Sequence, residues 1–227
     1  MMTLPSLRLG LDEAGRGCVI GPLVVGCVAA TDTDRSWFSR NKVRDSKLIP
    51  PDERQWLSKK IRERCWFKTS HASPSDIDRA VRDRVRTLNG LEREQMSSLL
   101  SAALAAHPSR SIHVMIDAPS TNPRTFIQKL TQDISWPDSF VLQAEHRADA
   151  RYLVVAAASI IAKQEREDAI EQLKKELAED FGCGYPHDER TIQHLLHCKP
   201  EAPHVRWTWS TAQRTMSKRY VRSFFRA

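Results

Sequence analysis

The sequence predicts an α/β fold, and three observations carry that prediction. Strand-like apolar segments alternate along the chain with segments of helical pattern, as in α/β domains. Residues 23–30 form a nearly continuous apolar run, which is typical of a buried central strand. The chain has 227 residues and 41% hydrophobic content, enough to bury a real core as one domain or as a domain with a small appendage.

The first predicted strand ends in two adjacent carboxylates. Leu7, Leu9 and Leu11 alternate with other residue types, as in a half-buried strand, and Asp12-Glu13 follows where that strand should stop. The next residues, Gly15-Arg16-Gly17, allow a sharp turn because glycine tolerates unusual backbone angles. A divalent cation relieves repulsion between neighbouring carboxylates, and a hard ion such as Mg²⁺ keeps coordination positions open for phosphate oxygens. The stretch therefore indicates metal chemistry beside a phosphate. An ordinary acidic turn is the alternative.

The remaining elements follow from periodicity, proline positions and capping residues. After the strand at 23–30, the pattern predicts a polar loop over 32–50, a helix over 51–64, a strand over 66–71, a helix start at Ser73-Pro74, a helix over 91–106, a strand over 112–117, a helix after Asn122-Pro123 and a short strand over 140–142.

The longest predicted helix is opened by residues 145–149. It is apolar on all sides over 152–162, so this half should be buried, and it becomes charged and solvated over 163–179. Glycine and proline in residues 181–186 interrupt it. We therefore expect a catalytic domain over 1–182 and a basic, helical C-terminal extension over 183–227 that packs on it.

Four acids are expected to meet at one edge of the sheet: Asp12, Glu13, Asp117 and Asp149. The first three end strands, and the fourth begins the long helix. Such a cluster can hold two Mg²⁺ or Mn²⁺ ions about 3.5–4 Å apart, the arrangement that cleaves phosphodiesters. Singly, Asp117 could be a turn or helix cap, and Asp149 could be an acid favoured by the helix dipole.

The positive charge is concentrated in the tail. The net charge is +7, and the pI is near 9.3. Residues 199–227 carry seven basic side chains against Glu201 alone, interleaved with aromatic residues. This composition suits a nucleic-acid surface, and it suits an amphipathic helix packed on the protein body equally well.

The five cysteines are scattered singly, so we expect reduced thiols without a zinc site or disulfides. The N-terminus has no secretory pattern and no apolar run is long enough to span a membrane, so we expect a soluble cytoplasmic protein without a membrane segment.

Several motifs in order along the chain resemble type 2 ribonuclease H, also called ribonuclease HII. They are Asp12-Glu13-Ala14-Gly15-Arg16-Gly17 with Gly21-Pro22, Asp45-Ser46-Lys47, Ile116-Asp117-Ala118 with Asn122-Pro123, Glu145-His146-Arg147-Ala148-Asp149-Ala150, residues 157–163, and Gly182-Cys183-Gly184-Tyr185-Pro186. The segment around Asp117 is similar to the archaeal and eukaryotic catalytic-subunit branch.

The resemblance implies an RNase H-like fold, a central mixed sheet flanked by helices with a small helical C-terminal portion. It also implies a Mg²⁺- or Mn²⁺-dependent endonuclease that cleaves RNA in RNA–DNA hybrids. Such an enzyme cuts 5′ of a single ribonucleotide in duplex DNA and leaves 3′-OH and 5′-phosphate ends.

The resemblance also assigns residues. The catalytic, metal-binding acids would be Asp12, Glu13, Asp117 and Asp149. Gly15, Arg16 and Gly17 would meet the ribose 2′-OH, which distinguishes RNA from DNA. Tyr185 would stack on the following sugar; otherwise it is a buried loop aromatic. Lys47 and Lys163 would contact phosphates.

Departures from the family pattern are few. Cys18 stands where proline is frequent, Cys183 where serine is usual, and Arg147 and Arg151 where lysine is frequent. They put loop rigidity and affinity in doubt more than chemistry. His187 is also uncommon; a phosphate contact is one interpretation of it, and we expect it to face solvent.

The tail could bind a sliding clamp. Lys218, Val221, Phe224 and Phe225 have the spacing of a degenerate clamp-binding peptide, with Lys218 in place of the usual glutamine. A tail packed on its own domain is the alternative. We expect a monomer, since no long exposed apolar stripe is evident.

Two other functional classes fit part of this pattern. A junction-resolvase-like nuclease of the same fold would need the acids but neither the Gly15-Arg16-Gly17 turn nor Tyr185. A non-catalytic nucleic-acid-binding subunit would need the basic tail but not the acids. The joint presence of these features disfavours both classes.

Overall fold

The computed structural model describes residues 6–83, 85–108, 111–120, 122–132, 134, 136 and 140–224, the last six of them by backbone alone. The strands are β1 (Leu7–Ala14), β2 (Leu23–Ala30), β3 (Trp66–Ala72), β4 (Ile112–Asp117) and β5 (Phe140–Glu145). The helices are α1 (Asp32–Arg40), α2 (Pro51–Arg64), α3 (Pro74–Arg82), α4 (Thr87–Ala106), α5 (Pro123–Gln132), α6 (Leu153–Leu177), α7 (Glu189–His197) and α8 (Ser210–Phe224). Two short 3-10 turns cover Ser46–Leu48 and Ala148–Ala150.

The strands form one mixed sheet in the order β3-β2-β1-β4-β5. β1 runs antiparallel to β2 and parallel to β4, and β4 runs parallel to β5. Because β1 and β4 are parallel neighbours, their carboxyl ends lie at the same edge of the sheet. The α/β prediction and the mixed sheet are therefore confirmed.

Alternating side chains of the strands supply two hydrophobic layers. On one face, Val28 and Ala30 of β2 pack with α2 and the first half of α6. On the other face, Val25 and Cys27 of β2 pack with β1, β4, α4 and α5. The period of two along a strand produces this division, and the uninterrupted apolar run of β2 follows because both of its faces are covered.

The chain forms two compact units, which we describe separately. The first contains residues Met1–Ala14, Val24–Ser70 and Asn89–Glu165, and the second contains Gly15–Leu23, His71–Leu88 and Arg166–Ala227. The second unit has its own core around Ile20, Phe181 and Leu195, which α8 joins through Ala212. The expected division into 1–182 and 183–227 stays a prediction.

The segment 32–50 was predicted to be loop, and this was wrong for its first half, which forms α1. Thr31 and Asp34 make a reciprocal capping box: the Thr31 hydroxyl accepts from the Asp34 N–H, and the Asp34 carboxylate accepts from the Thr31 N–H at 3.0 Å. Only Phe38 of this helix is buried, so hydrophobic periodicity gives little sign of it. The capping signature Thr-x-x-Asp was the usable signal.

The predicted start of the longest helix was also early. Glu145 is the last residue of β5, and Arg147 follows with a left-handed φ of 56°. Asp149 then lies in the 3-10 turn, and α6 begins only at Leu153. The apolar half of α6 is buried as expected, but the charged half is not uniformly solvated, because Arg166 is only 2% exposed.

In the part of the chain that the structure describes, no helix is both long and apolar enough to cross a membrane. All five cysteines carry free thiols.

Candidate active site

Asp12 and Glu13 lie side by side near the end of β1, in the first unit. Asp12 is 5% exposed, and its Oδ1 accepts the Glu13 N–H at 2.7 Å. Burial raises the pKa of Asp12 well above its ordinary value, and the charges of Glu13, Asp117 and Asp149 raise it further. The Asp12 carboxylate is therefore held among other carboxylates with little water to screen it.

Asp117 and Asp149 belong to the same group of acids. Asp117 is the last residue of β4, and its Oδ1 accepts the Ala148 N–H at 2.8 Å. Asp149 lies in the 3-10 turn that contains Ala148 and is 6% exposed. Burial is the largest cause that raises the pKa of each of these acids. The turn after β5 thus fixes Asp117 by hydrogen bond and carries Asp149 itself.

Ser159 ties this acid cluster to the Asp45-Ser46-Lys47 motif. A hydrogen bond with Ser159 lowers the pKa of Asp12, and the hydroxyls of Ser159 and Ser46 are 3.0 Å apart in a buried position. Lys47 is exposed, and its charge lowers the pKa of both Asp117 and Asp149. The structure therefore brings Lys47 within electrostatic reach of the acids.

The donor set of the acid cluster fits a hard divalent cation. Carboxylate oxygens are the ligands that Mg²⁺ and Mn²⁺ prefer, and burial raises the pKa of Asp12, Asp117 and Asp149 because it opposes their charged forms. Among the described residues, no three acidic, histidine or cysteine side chains already surround a common point as metal ligands. Asp12 and Asp117 instead accept backbone N–H groups.

The Gly15-Arg16-Gly17 turn lies in the second unit, and it is shaped by its first glycine. Gly15 has a φ of +87°, and a Cβ at this position would lie 2.7 Å from the Pro22 carbonyl oxygen and 2.8 Å from Cδ of Arg166. Gly17 is exposed, and a Cβ added there would meet no atom within 4 Å. The turn is thus tightly packed at Gly15 and open at Gly17.

Tyr185, also in the second unit, is held by a cation and a thiol. The guanidinium carbon of Arg166 lies 4.8 Å from the centre of the Tyr185 ring, and Nη2 of Arg166 donates to the Cys183 carbonyl at 2.7 Å. A hydrogen bond joins the side chains of Tyr185 and Cys18, and burial raises the pKa of both groups. His187 stacks on Tyr185 with ring centres 5.5 Å apart and is exposed, as expected.

The remaining predicted residues are less defined. Lys163 is half-buried in the first unit, on α6. Lys218 is exposed on α8. The structure describes Val221 and Phe224 by backbone alone, and Phe225 lies outside the described residues.

Sequence reasoning missed several residues that support the site. Ser159 was quoted within residues 157–163 but given no role, although it is the single polar residue in the apolar run 153–162 of α6. Asp45 was quoted without a role, yet its charge raises the pKa of Asp149. The buried Arg166 and Arg206 gave no local signal, since their partners are backbone carbonyls distant in sequence.

Known proteins are similar to this chain over most of its length. A family model described as Ribonuclease HII matches residues 9–212. The Ribonuclease HII of Methanothermobacter thermautotrophicus is 40% identical over 210 residues, which cover 91% of this chain and 97% of the relative.

Two solved structures of such proteins also match. The ribonuclease H2 of Pyrococcus horikoshii OT3 superposes with a TM-score of 0.80 at 32% identity, covering 94% of this chain and 99% of that chain. A structure of the PCNA:RNase HII complex from Archaeoglobus fulgidus matches with a TM-score of 0.76 at 35% identity, covering 90% of this chain and 95% of that chain.

Proposed function

The chain belongs to the ribonuclease HII family, and we propose that it cleaves both RNA–DNA hybrids and duplex DNA that contains a single ribonucleotide, in the latter case on the 5′ side of that ribonucleotide. Its enzyme class is ribonuclease H, which hydrolyses the RNA of RNA–DNA hybrids. Cleavage at a single ribonucleotide and the mechanism of cleavage go beyond this enzyme class and are our proposal.

The observation that carries the proposal is the group of acids near the carboxyl ends of the adjoining parallel strands β1 and β4, two of which, Asp12 and Asp149, are buried. Asp12 lies two residues before the end of β1, Asp117 ends β4, and the charge of Asp117 acts on both Asp12 and Asp149. Ribonucleases H depend on divalent metal, and two ions held by these acids with Glu13 would activate a water and stabilise the leaving oxygen. Hydrolysis at the phosphorus would break the P–O3′ bond and leave 3′-OH and 5′-phosphate ends.

The protein groups around the acids have supporting roles in this proposal. The Glu13 N–H and Ser159 orient the Asp12 carboxylate through the hydrogen bonds described above, so that its position is fixed before substrate arrives. The exposed ammonium of Lys47 would contact a substrate phosphate, and Lys163 would contact another.

Ribose recognition is assigned to the second unit. The Gly15-Arg16-Gly17 turn would present backbone groups to the 2′-hydroxyl, which is both a donor and an acceptor. The Tyr185 ring would stack on the sugar that follows the ribonucleotide. An aromatic face suits this task because it excludes water from one side of the sugar without a charge of its own.

A sliding clamp is a proposed partner. The Archaeoglobus relative was solved in complex with PCNA, and the tail of this chain carries Lys218, Val221, Phe224 and Phe225 at the spacing described above. We propose that these residues bind a clamp and that the enzyme itself is a monomer.

The function is tested by cleavage of three labelled substrates: a duplex with one ribonucleotide, an all-DNA duplex and an RNA–DNA hybrid, each with Mg²⁺, Mn²⁺ or a chelator. We expect metal-dependent cuts 5′ of the single ribonucleotide and within the hybrid, with the all-DNA duplex intact. Cleavage of the hybrid alone would reject the single-ribonucleotide activity. Cutting of the all-DNA duplex would indicate a nuclease of the resolvase class.

A further inference from the structure

A short segment near the C-terminus is fastened to the loop that contains the Gly15-Arg16-Gly17 turn. The Arg206 N–H donates to the Val19 carbonyl at 2.9 Å, and the Gly21 N–H donates to the His204 carbonyl at 2.9 Å. Ile20 and Val205 form an antiparallel bridge between the same two segments. All of these residues belong to the second unit.

The Arg206 side chain adds a second connection to this loop. It is fully buried. Its Nε and Nη2 both donate to the Gly21 carbonyl, at 3.0 and 2.9 Å, and its Nη1 donates to the Arg16 carbonyl at 3.2 Å. One planar guanidinium therefore holds two carbonyls that are five residues apart in the loop. The rigid fork of an arginine permits this, whereas a lysine ammonium has a different donor geometry.

The surroundings keep the guanidinium in this orientation. Its carbon lies 5.1 Å from the centre of the Trp209 ring. Asp78 accepts from the Trp207 N–H at 2.8 Å and from the Thr208 hydroxyl, so it anchors the chain immediately after Arg206. Burial lowers the pKa of Arg206 to about 10, which still leaves the side chain charged at neutral pH.

The bond to the Arg16 carbonyl also orients the next N–H group. The peptide between Arg16 and Gly17 is planar and trans, so its carbonyl and its N–H point in opposite directions. Because Nη1 of Arg206 holds the carbonyl on one side, the Gly17 N–H is directed to the other side. Gly17 is exposed, and apart from its two chain neighbours no atom lies within 4 Å of a Cβ added there, so this part of the turn is accessible to a ligand.

We propose that Arg206 is a positioning residue for ribose recognition, because it holds the Arg16 carbonyl and thereby directs the Gly17 N–H at the 2′-hydroxyl of the substrate. The inference rests on the proposed role of the Gly15-Arg16-Gly17 turn. Arg206 itself touches no reacting atom. Its effect is on selection of ribose over deoxyribose, not on the acids.

The test compares the binding of two duplexes that differ only in one 2′-hydroxyl. Dissociation constants for the single-ribonucleotide and the all-DNA duplex are measured by fluorescence anisotropy with a chelator present, so that neither is cut. We expect the full-length protein to prefer the ribonucleotide duplex. In Arg206→Lys, we expect the ratio of the two constants to fall at least threefold towards one, with affinity for all-DNA duplex retained.

The ratio separates positioning from a general loss of folded protein, because a smaller folded fraction changes both constants alike. Arg190→Lys is the matched control: Arg190 lies in the same unit, but its guanidinium binds Asp180 at 2.6 Å and Asp188 at 3.6 Å, and we expect an unchanged ratio. If Arg206→Lys does not fold, Arg206→Met retains the volume without an uncompensated buried charge and is measured in the same way.

Each outcome distinguishes the two claims. A preference for ribose that is lost in the Arg206 variant supports the positioning role. A preference that persists undiminished in a folded Arg206 variant overturns that role and leaves the proposed function intact. Equal affinity of the unmodified protein for both duplexes overturns the assignment of ribose reading to this turn, and the inference with it.

Discussion

In the acid cluster of the first unit, burial disfavours the charged forms of Asp12, Asp117 and Asp149. In the turn of the second unit, by contrast, the carbonyls of Arg16 and Gly21 are hydrogen-bonded to the buried Arg206. The first region therefore holds carboxylates where burial opposes their charge, and in the second a buried cation satisfies backbone carbonyls. The proposed metal site is expected to be less stable without cations, because cations would compensate the buried carboxylates, whereas the proposed ribose-binding turn gains from rigidity.

The largest expected effect is on the catalysis that we assign to the acid cluster. Asp12→Asn retains the shape and the oxygen that accepts the Glu13 N–H, but it removes one charge from the proposed metal-binding set. A loss of several kcal/mol of transition-state stabilisation corresponds to a rate lowered by about 10³-fold or more. Single-turnover cleavage of the hybrid measures it.

Hybrid binding by the same variant is the companion measurement. We expect its dissociation constant to change little, since the acids do not attract a polyanion. Equal loss of binding and cleavage would contradict the assignment of Asp12 to the metal site. Asp52→Asn, a change at an exposed acid on α2, is the matched control and should leave both properties unaltered.

Asp12→Asn should lower the cleavage rate but raise the stability of the metal-free protein. The pKa of Asp12 is raised in the folded protein, so its contribution to stability is fully present below the unfolded pKa and is lost as the pH rises through the folded value. Asp12→Asn should thus stabilise the metal-free protein at neutral pH, on the order of 1 kcal/mol, and this gain should vanish in acid. Thermal unfolding with chelator over a pH series measures the difference.

A substitution of Arg206 in the second unit should change the free energy of unfolding in the opposite direction. Arg206→Ala leaves buried carbonyls without their donors and creates a cavity, so it should lower the free energy of unfolding by about 3 kcal/mol. The loss should be present at neutral pH, where Asp12→Asn gains stability. If both variants changed the free energy of unfolding in the same direction, the proposed difference between the acid cluster and the Arg206 contacts would be wrong.

A smaller effect is expected at Tyr185. Tyr185→Ala removes the proposed stacking surface. Stacking of aromatic side chains on nucleic acid is worth roughly 1–3 kcal/mol, so kcat/KM on the single-ribonucleotide duplex should fall about tenfold. The loss on a long hybrid should be smaller, since a hybrid offers no junction to sense. Tyr185→Phe, which retains the ring over Arg166 but loses the hydroxyl, should stay near the activity of the unmodified enzyme. Equal losses on both substrates in Tyr185→Ala would reject junction sensing.

The sequence predicted the acid cluster better than the contacts of Arg206 with the Gly15-Arg16-Gly17 loop. The acids follow from local sequence pattern, whereas the arginine contacts do not. Alternation placed Asp12 near the end of β1, and the apolar segment 112–116 placed Asp117 at the end of β4, so the local pattern was enough. The roles of Arg206 and Arg166 depend on backbone carbonyls of residues distant in sequence. Every residue has a backbone carbonyl, so no residue type in the sequence marks these partners. Helix α1 was missed for a third reason, because its stability depends on a cap and hardly on buried apolar residues.

The smallest effect on catalysis is expected from the tail. Deletion of residues 218–227 removes all four proposed clamp-binding residues, while the core of the second unit keeps Ala212 of α8. We expect the shortened protein to cleave the single-ribonucleotide duplex at nearly the original rate but to lose co-elution with a purified sliding clamp of its host in size-exclusion chromatography. The full-length variant Ser223→Ala, altered between the proposed contacts, should still co-elute. Unchanged co-elution after the deletion would rule out clamp binding by the tail, and a large loss of cleavage would show that the tail contributes to the folded enzyme instead.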